Sequence, residues 1–326
     1  MNNIVHLCVA ADKNYKLPLA TLVNSFIKNK QSLNTVIHVL CSGLSEKYQS
    51  KLKSMCKNTN ISIDFIDMSN YDFDFHGLDM QHWTKAIFYR IMIPELFKDL
   101  DRIIYIDGDT LIIGDLAELF NTDMGDDYIL AMVVDRFSYK TRIGELNTSN
   151  YFNSGMILFD IKKCREFDFS TKSIKWIHDH SDIAKFPDQD AINVVCDRKI
   201  LRLNNMFNKQ FATTDLIDWN KKPVIAHFLS AIKPWMKKSP INYAKVYRSY
   251  IPNTRQHVKV YLSQLLYNSK YFIFHQQYAM TMKNMNIVEQ IKYYLFNIHI
   301  WTKTLKNGKH NLIDVLKNNK ESRKCL

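Results

Sequence analysis

The chain has 326 residues, 46% of them hydrophobic, which is enough for one large domain or one domain with an appendage. Six scattered cysteines without a Cys-x-x-Cys pair indicate neither a zinc site nor a disulfide framework, and no run of about 18 apolar residues offers a transmembrane helix. The formal charge of +12 is unevenly placed: residues 254–326 hold 12 Lys or Arg against 3 Asp or Glu, so a nearly neutral body carries a basic tail of the kind that seeks an anionic partner.

Taken in order, the chain alternates strand and helix. The first residues run straight into the apolar segment Val5–Ala11, which reads as a buried strand and the start of a fold rather than as a signal peptide. A polar loop, Asp12 to Tyr15, leads to a helix over 17–30 with Leu19, Leu22, Val23 and Phe26 at helical spacing. Strands are predicted at 35–41 and 61–66, with a helix between them that Ser45 would cap. A helix over 84–96 carries Tyr89 and Arg90. This alternation predicts an α/β fold with a mixed, mainly parallel central sheet.

The run Arg102-Ile-Ile-Tyr-Ile-Asp107-Gly-Asp109 is the most informative. Its apolar residues suit a buried strand, and two carboxylates emerge at the C-terminal end, the edge where ligands bind in open α/β sheets. Carboxylates so close repel unless a cation sits between them. A divalent ion held by oxygen ligands and a substrate's phosphates fits that need. Further on, Tyr128–Val134 reads as a strand ending at Asp135. Residues 151–159 read as a loop and a strand, and 174–180 as a helix. Asp188-Gln-Asp190 stands before a helix-like Ala191–Cys196. Val224–His227 is a short buried run leading to Lys233-Pro-Trp235, and polar Ser239–Arg255 looks like a boundary.

Five signals in order, Ala10-Ala-Asp12-Lys-Asn14-Tyr15, Asp107-Gly-Asp109, Asn153-Ser-Gly155, Asp188-Gln-Asp190 and His227 six residues before Lys233, resemble the retaining glycosyltransferases of family 8 over residues 4–237. The likeness is greatest to the bacterial galactosyl- and glucosyltransferases of lipopolysaccharide cores. The resemblance implies a GT-A fold over residues 1–253 and transfer of galactose or glucose from a UDP-hexose to an oligosaccharide or lipid-linked saccharide, forming an α-linkage. It implies Mn²⁺, with Mg²⁺ as the alternative, held by Asp107, Asp109 and His227. Ala10, Asp12, Asn14 and Tyr15 match the positions that take uracil and ribose, and Lys233 matches the diphosphate partner. Arg90, Gly108, Asn153, Ser154, Asp135, Asp188 and Gln189 match positions at the donor and its sugar. Gln189 falls nearest the anomeric carbon, and an amide is a poor nucleophile, so front-face attack by the acceptor is expected.

One position departs from the family pattern. Ser230 stands where a glycine is usual, three residues after the histidine; its side chain costs a little if φ is positive, and its hydroxyl offers a phosphate donor. His82, Trp83 and Thr84 are candidates for the acceptor cleft, Trp83 equally for the core. Lys140, Arg142 and Thr148–Tyr151 look like a mobile loop over the donor. In the tail, Ile287, Val288, Ile291, Tyr294, Leu295, Ile298, Trp301 and Leu305 recur at helical spacing among lysines. That predicts a basic amphipathic helical tail over 254–326, lying on an anionic inner-leaflet surface or packed on the body, in a cytoplasmic, peripheral bacterial enzyme. Other readings are a nucleotidyltransferase-like or sugar-nucleotide-binding protein on a related fold, and a dehalogenase-type phosphatase, whose nucleophile motif Leu111 does not fit. Without a zinc finger, helix-turn-helix or RNA-recognition motif, nucleic acid is not expected as a partner.

Overall fold

The computed structural model describes residues 4–252, apart from residues 30, 72, 74, 76–77, 79, 81–83, 216 and 221, together with the backbone of residues 289–295 and 298–305. The chain divides into two compact units, residues 1–265 and 266–326. The division falls within 253–288, outside the described residues, and somewhat beyond the expected boundary after residue 253.

In the first unit, β1 (Ile4–Asp12), α1 (Lys16–Lys28), β2 (Asn34–Ser42), α2 (Glu46–Met55) and β3 (Ile61–Asp67) form two strand–helix–strand crossovers. The apolar stripe of α1, Leu19, Leu22, Val23 and Phe26, is fully buried, as its spacing predicts. Ser45 occupies the N-cap of α2 in an extended conformation, without a side-chain capping bond. A 3₁₀ stretch, Lys85–Met92, then passes into the short α3 (Ile93–Leu96). The expected single helix is broken here because Pro94 has no N–H to return to the carbonyl of Arg90.

β4 (Arg102–Ile106), β5 (Thr110–Ile112), α4 (Ala117–Phe120), β6 (Leu130–Val134), α5 (Tyr139–Leu146), β7 (Phe152–Asp160), α6 (Ile161–Glu166), α7 (Phe169–Asp179) and α8 (Pro187–Val195) follow. After them come β8 (Ile200–Arg202), a second 3₁₀ turn Asn205–Asn208, β9 (Lys209–Phe211), β10 (Ile225–Phe228) and α9 (Ile241–Ser249). The main sheet has the order β3-β2-β1-β4-β7-β6-β8. It is parallel from β3 to β4, antiparallel at both sides of β7, and parallel again from β6 to β8. Successive side chains of β4 enter opposite cores, Ile104 and Ile106 on one face, Ile103 and Tyr105 on the other.

Chain direction reverses its spread between β1 and β4, which lie side by side with Cys8 opposite Tyr105. Such a switch point opens a crevice at the carboxyl ends of the strands. A second sheet, β5-β10-β9, brings His227 of β10 into the crevice wall and carries a third core around Phe211, Phe228, Tyr243 and Tyr247. The polar stretch expected to be a boundary is therefore α9. Tyr243 and Tyr247, one turn apart, are fully buried with ring centroids 5.2 and 5.3 Å from Phe228.

In the second unit, β11 (Glu289–Leu295) and β12 (Ile298–Leu305) pair as an antiparallel hairpin. This corrects the helix expected over 287–305. Ile, Tyr, Trp and Thr at 291, 293, 294, 298, 300, 301, 302 and 304 favour extended backbone, and that preference outweighs an apolar spacing that also fits a helix. No helix among the described residues is long and apolar enough to cross a membrane.

Candidate active site

The crevice is a cleft of about 710 Å³. Its walls hold Ala10, Asp12 and Tyr15 from the end of β1, Asp107, Gly108 and Asp109 after β4, Asn153 and Ser154 of β7, and Asp188 and Gln189 of α8. Arg90, Asp135, His227, Ser230 and Lys233 complete the set expected from the sequence. Asn14 is the exception: it is exposed, outside the lining, with its N–H donating to Asp12 at 2.7 Å. Thr84 lines the cleft, while His82 and Trp83 lie outside the described residues.

Strand pairing builds the acidic cluster. β5 turns away after Asp109 and pairs antiparallel with β10, setting His227 opposite Thr110. Nε2 of His227 then lies 3.3 Å from Oδ1 of Asp109 and 3.8 Å from Oδ2 of Asp107. One ligand atom from each of the three residues fits within 4.8 Å of the others, and among the described residues they are the one such group of His, Cys, Asp or Glu. The space is reserved. A Cβ at Gly155 would sit 2.1 Å from His227 and 2.8 Å from Asp107. One at Gly108 would meet the Tyr15 ring at 2.8 Å, so the spacer between the carboxylates is small because Tyr15 packs on it.

The oxygens facing away from the cluster are engaged. Oδ1 of Asp107 accepts from Arg90 and from the Tyr105 hydroxyl, each at 2.8 Å. Oδ2 of Asp109 accepts from Lys233 at 2.6 Å. Burial opposes charge on Asp109, but its basic surroundings, with the Lys233 ammonium as the largest contribution, hold the carboxyl well below the usual range. Arg90, only 4% exposed, also donates to Ser154 at 2.8 Å and pairs with Asp188 at 3.2 Å. Burial disfavours its charge; Asp107 and Asp188 more than restore it, raising its pKa above the ordinary arginine value. Burial raises the carboxyl of Asp188, with Arg90 acting against the rise. Arg90 is thus a buried tie between the Asp107 and Asp188 carboxylates.

On the opposite wall, Asp188, Gln189 and Asp190 lie inside the first turn of α8, which Pro187 opens, rather than before a helix. Asn153-Ser-Gly155 is strand, at an irregularity where β7 shifts register against β6, and does not form a turn. Oε1 of Gln189 accepts from the N–H of Ser154 at 2.9 Å and from Asn153 at 3.1 Å. Oδ1 of Asp135 takes the N–H groups of Phe137 and Ser138 at 2.9 and 2.6 Å. Of the expected mobile loop, Lys140 and Arg142 lie in α5, whereas Thr148–Tyr151 follow it outside any helix or strand. Arg142 is 3% exposed and meets Asp190 at 2.6 Å, where the Tyr151 hydroxyl also donates at 2.5 Å. Ser230 has no positive φ, and its hydroxyl oxygen accepts from Thr213 N–H at 2.9 Å, so the expected backbone strain is absent.

Asn208 and Tyr105 carry no motif that the sequence displays: Asn208 acts through Asn153 and His227, far away in the chain, and Tyr105 through Asp107, two residues on. Arg142 is visible in the sequence only as part of an expected loop, and its partner Asp190 lies 48 residues away.

A family model described as glycosyl transferase family 8 matches residues 6–239. The chain belongs to that family. The general stress protein A of Bacillus subtilis (strain 168) is 28% identical over 275 residues, 78% of this chain and 95% of that protein. The lipopolysaccharide 1,3-galactosyltransferase of Salmonella typhimurium (strain LT2) is 26% identical over 247 residues, covering 71% and 72%. The lipopolysaccharide 1,2-glucosyltransferase of Escherichia coli (strain K12) is 22% identical over 271 residues, covering 77% and 78%. Among solved structures, the galactosyltransferase LgtC in complex with donor and acceptor sugar analogs superposes with a TM-score of 0.62 at 22% identity, over 77% of this chain and 96% of that one. The family 8 chain is thus a glycosyltransferase of GT-A architecture, with the α/β, mainly parallel sheet expected.

Proposed function

We propose that this family 8 enzyme transfers galactose or glucose from a UDP-hexose to a saccharide acceptor with retention, in lipopolysaccharide or related surface-glycan synthesis. The observation that carries the reading is the Asp107, Asp109 and His227 cluster, set beside Lys233 at the strand switch point where a nucleotide binds. The donor set, two carboxylates and an imidazole, suits Mn²⁺, with Mg²⁺ as the alternative. Bound there, the ion supplies Lewis-acid stabilisation of the departing diphosphate.

This chain's own residues do the rest. Asp12 and Tyr15 close the nucleoside end, where Gly108 lets the tyrosine ring approach the strand. The Lys233 ammonium donates to Asp109 and to the carbonyl of Phe228, and a diphosphate bound beside the cluster would draw it from the carboxylate. Arg90 keeps Asp107 and Asp188 at fixed spacing, and Asp135, Asn153 and Gln189 present a hydrogen-bonded wall to the sugar hydroxyls. The carbonyl of Gln189 already accepts from Ser154 and Asn153, which supports front-face attack by the acceptor hydroxyl rather than by this amide. The tail, with its excess of nine positive charges, fits an anionic inner-leaflet surface and a cytoplasmic, peripheral enzyme acting on a lipid-linked saccharide.

Release of UDP from UDP-galactose or UDP-glucose, measured with Mn²⁺ and with a chelator, tests the reading. Turnover unaffected by the chelator, or a hexosyl adduct on Gln189 during turnover, would count against it.

A further inference from the structure

We infer that Asn208, outside the expected donor and metal sets, is a positioning residue that fixes which nitrogen of His227 faces the carboxylates. It does so through a chain of amides that begins on the sugar side of the cleft. The chain has an unambiguous start, because a backbone N–H can only donate. The N–H of Gly155 meets the Asn153 side chain at 3.1 Å, which identifies the atom there as Oδ1. Nδ2 of Asn153 then points to Oδ2 of Asp135 and to Oε1 of Gln189, each at 3.1 Å. Both are acceptors: the first is a carboxylate, and the second takes the N–H of Ser154 at 2.9 Å. The orientation of Asn153 is therefore settled from both ends.

Oδ1 of Asn153 lies 2.9 Å from Asn208, so Asn208 must present its Nδ2 there. Its Oδ1 is left for Nδ1 of His227 at 3.0 Å. An amide oxygen only accepts, so Nδ1 carries the hydrogen and Nε2 carries the lone pair. Nε2 is the atom that faces Asp109 and Asp107. Without Asn208 the preference would reverse. A neutral imidazole beside two carboxylates gains by turning an N–H toward them, which removes the nitrogen as a ligand. Asn208 holds the hydrogen on the opposite side. It is 1% exposed and sits at the end of the 3₁₀ turn before β9, and the pairing of β9 with β10 brings it beside the ring.

The tautomer stands on geometry alone; its consequence for a cation rests on the proposed metal reading. Full-length, metal-free protein labelled with ¹⁵N-histidine, at pH 8, reports the state of His227 by long-range ¹H–¹⁵N correlation, assigned against His227→Gln. Mn²⁺ alone is then titrated into wild type, Asn208→Leu and Asn208→Asp, with free Mn²⁺ read by electron paramagnetic resonance. Wild type should carry the hydrogen on Nδ1. Asn208→Leu should move it to Nε2 and weaken Mn²⁺ binding about 10–100-fold, the usual cost of losing such a partner. Asn208→Asp keeps an acceptor for Nδ1 and should restore most of the affinity. A neutral wild-type ring with its hydrogen on Nε2 overturns the inference even if the variants do not fold, and so does Asn208→Leu with unchanged tautomer and affinity. A wild type with hydrogen on Nδ1 that binds no Mn²⁺ would instead sink the metal reading and leave the tautomer standing.

Discussion

A methyl group added at Gly155 would lie 2.1 Å from Cε1 of His227, 2.7 Å from its Nδ1 and 2.8 Å from Oδ2 of Asp107. The His227 ring has little room to yield. The imidazole is 1% exposed and held by Asn208, and β7 is paired on both sides, to β4 and β6. Gly155→Ala should therefore displace the ring from the carboxylates. The expected result is a loss of metal-dependent UDP release of ~100-fold or more, alongside an overpacking cost of ~1–3 kcal/mol in stability. Steady-state UDP release together with thermal melts separates the two effects. Near-wild-type release from a Gly155→Ala protein would show that the cluster does not depend on this close approach.

At the scale of elements, α5 and α8 hold one wall of the cleft together. Asp190, fully buried in the first turn of α8, takes Arg142 of α5, the Tyr151 hydroxyl and the N–H of Phe186. The same turn carries Asp188 and Gln189 into the cleft. Arg142→Leu leaves a buried carboxylate without its cation, at a cost of ~3–5 kcal/mol. In a unit of this size that lowers the melting temperature by roughly 10 °C. Adding Asp190→Leu should recover part of the loss by removing the stranded charge. A melting temperature within a degree of wild type for Arg142→Leu would mean that α5 is no anchor and that the pair is replaceable by solvent.

Across the whole molecule, what was legible followed local rules. The strand ending in Asp107-Gly-Asp109 declares itself by an apolar run meeting two carboxylates, and α1 by its stripe of Leu and Phe. His227 became visible only by its distance from Lys233, and the two indeed meet at Asp109. Hidden contacts join residues distant in sequence through ordinary side chains: Asn208 with Asn153, Arg142 with Asp190, Tyr247 with Phe228. The tail misled because apolar spacing in residues 287–305 fits both a helix and the hairpin that forms, and β propensity decided. The excess charge of that region is independent of its backbone. Full-length protein should sediment with anionic vesicles at low salt and be released at about 0.5 M salt, where the screening length falls to a few ångströms. Indifference to anionic vesicles would remove the membrane from the account.

The central claim is that Asp107, Asp109 and His227 hold a divalent ion for the diphosphate of a UDP-hexose. UDP release from a panel of UDP-sugars, by wild type and Asp109→Asn, with Mn²⁺ and with chelator, tests it most directly. The account predicts release by wild type from UDP-galactose or UDP-glucose only with the metal, and a loss of ~1000-fold or more in Asp109→Asn. Full activity of Asp109→Asn, or equal release in the chelator, would contradict it.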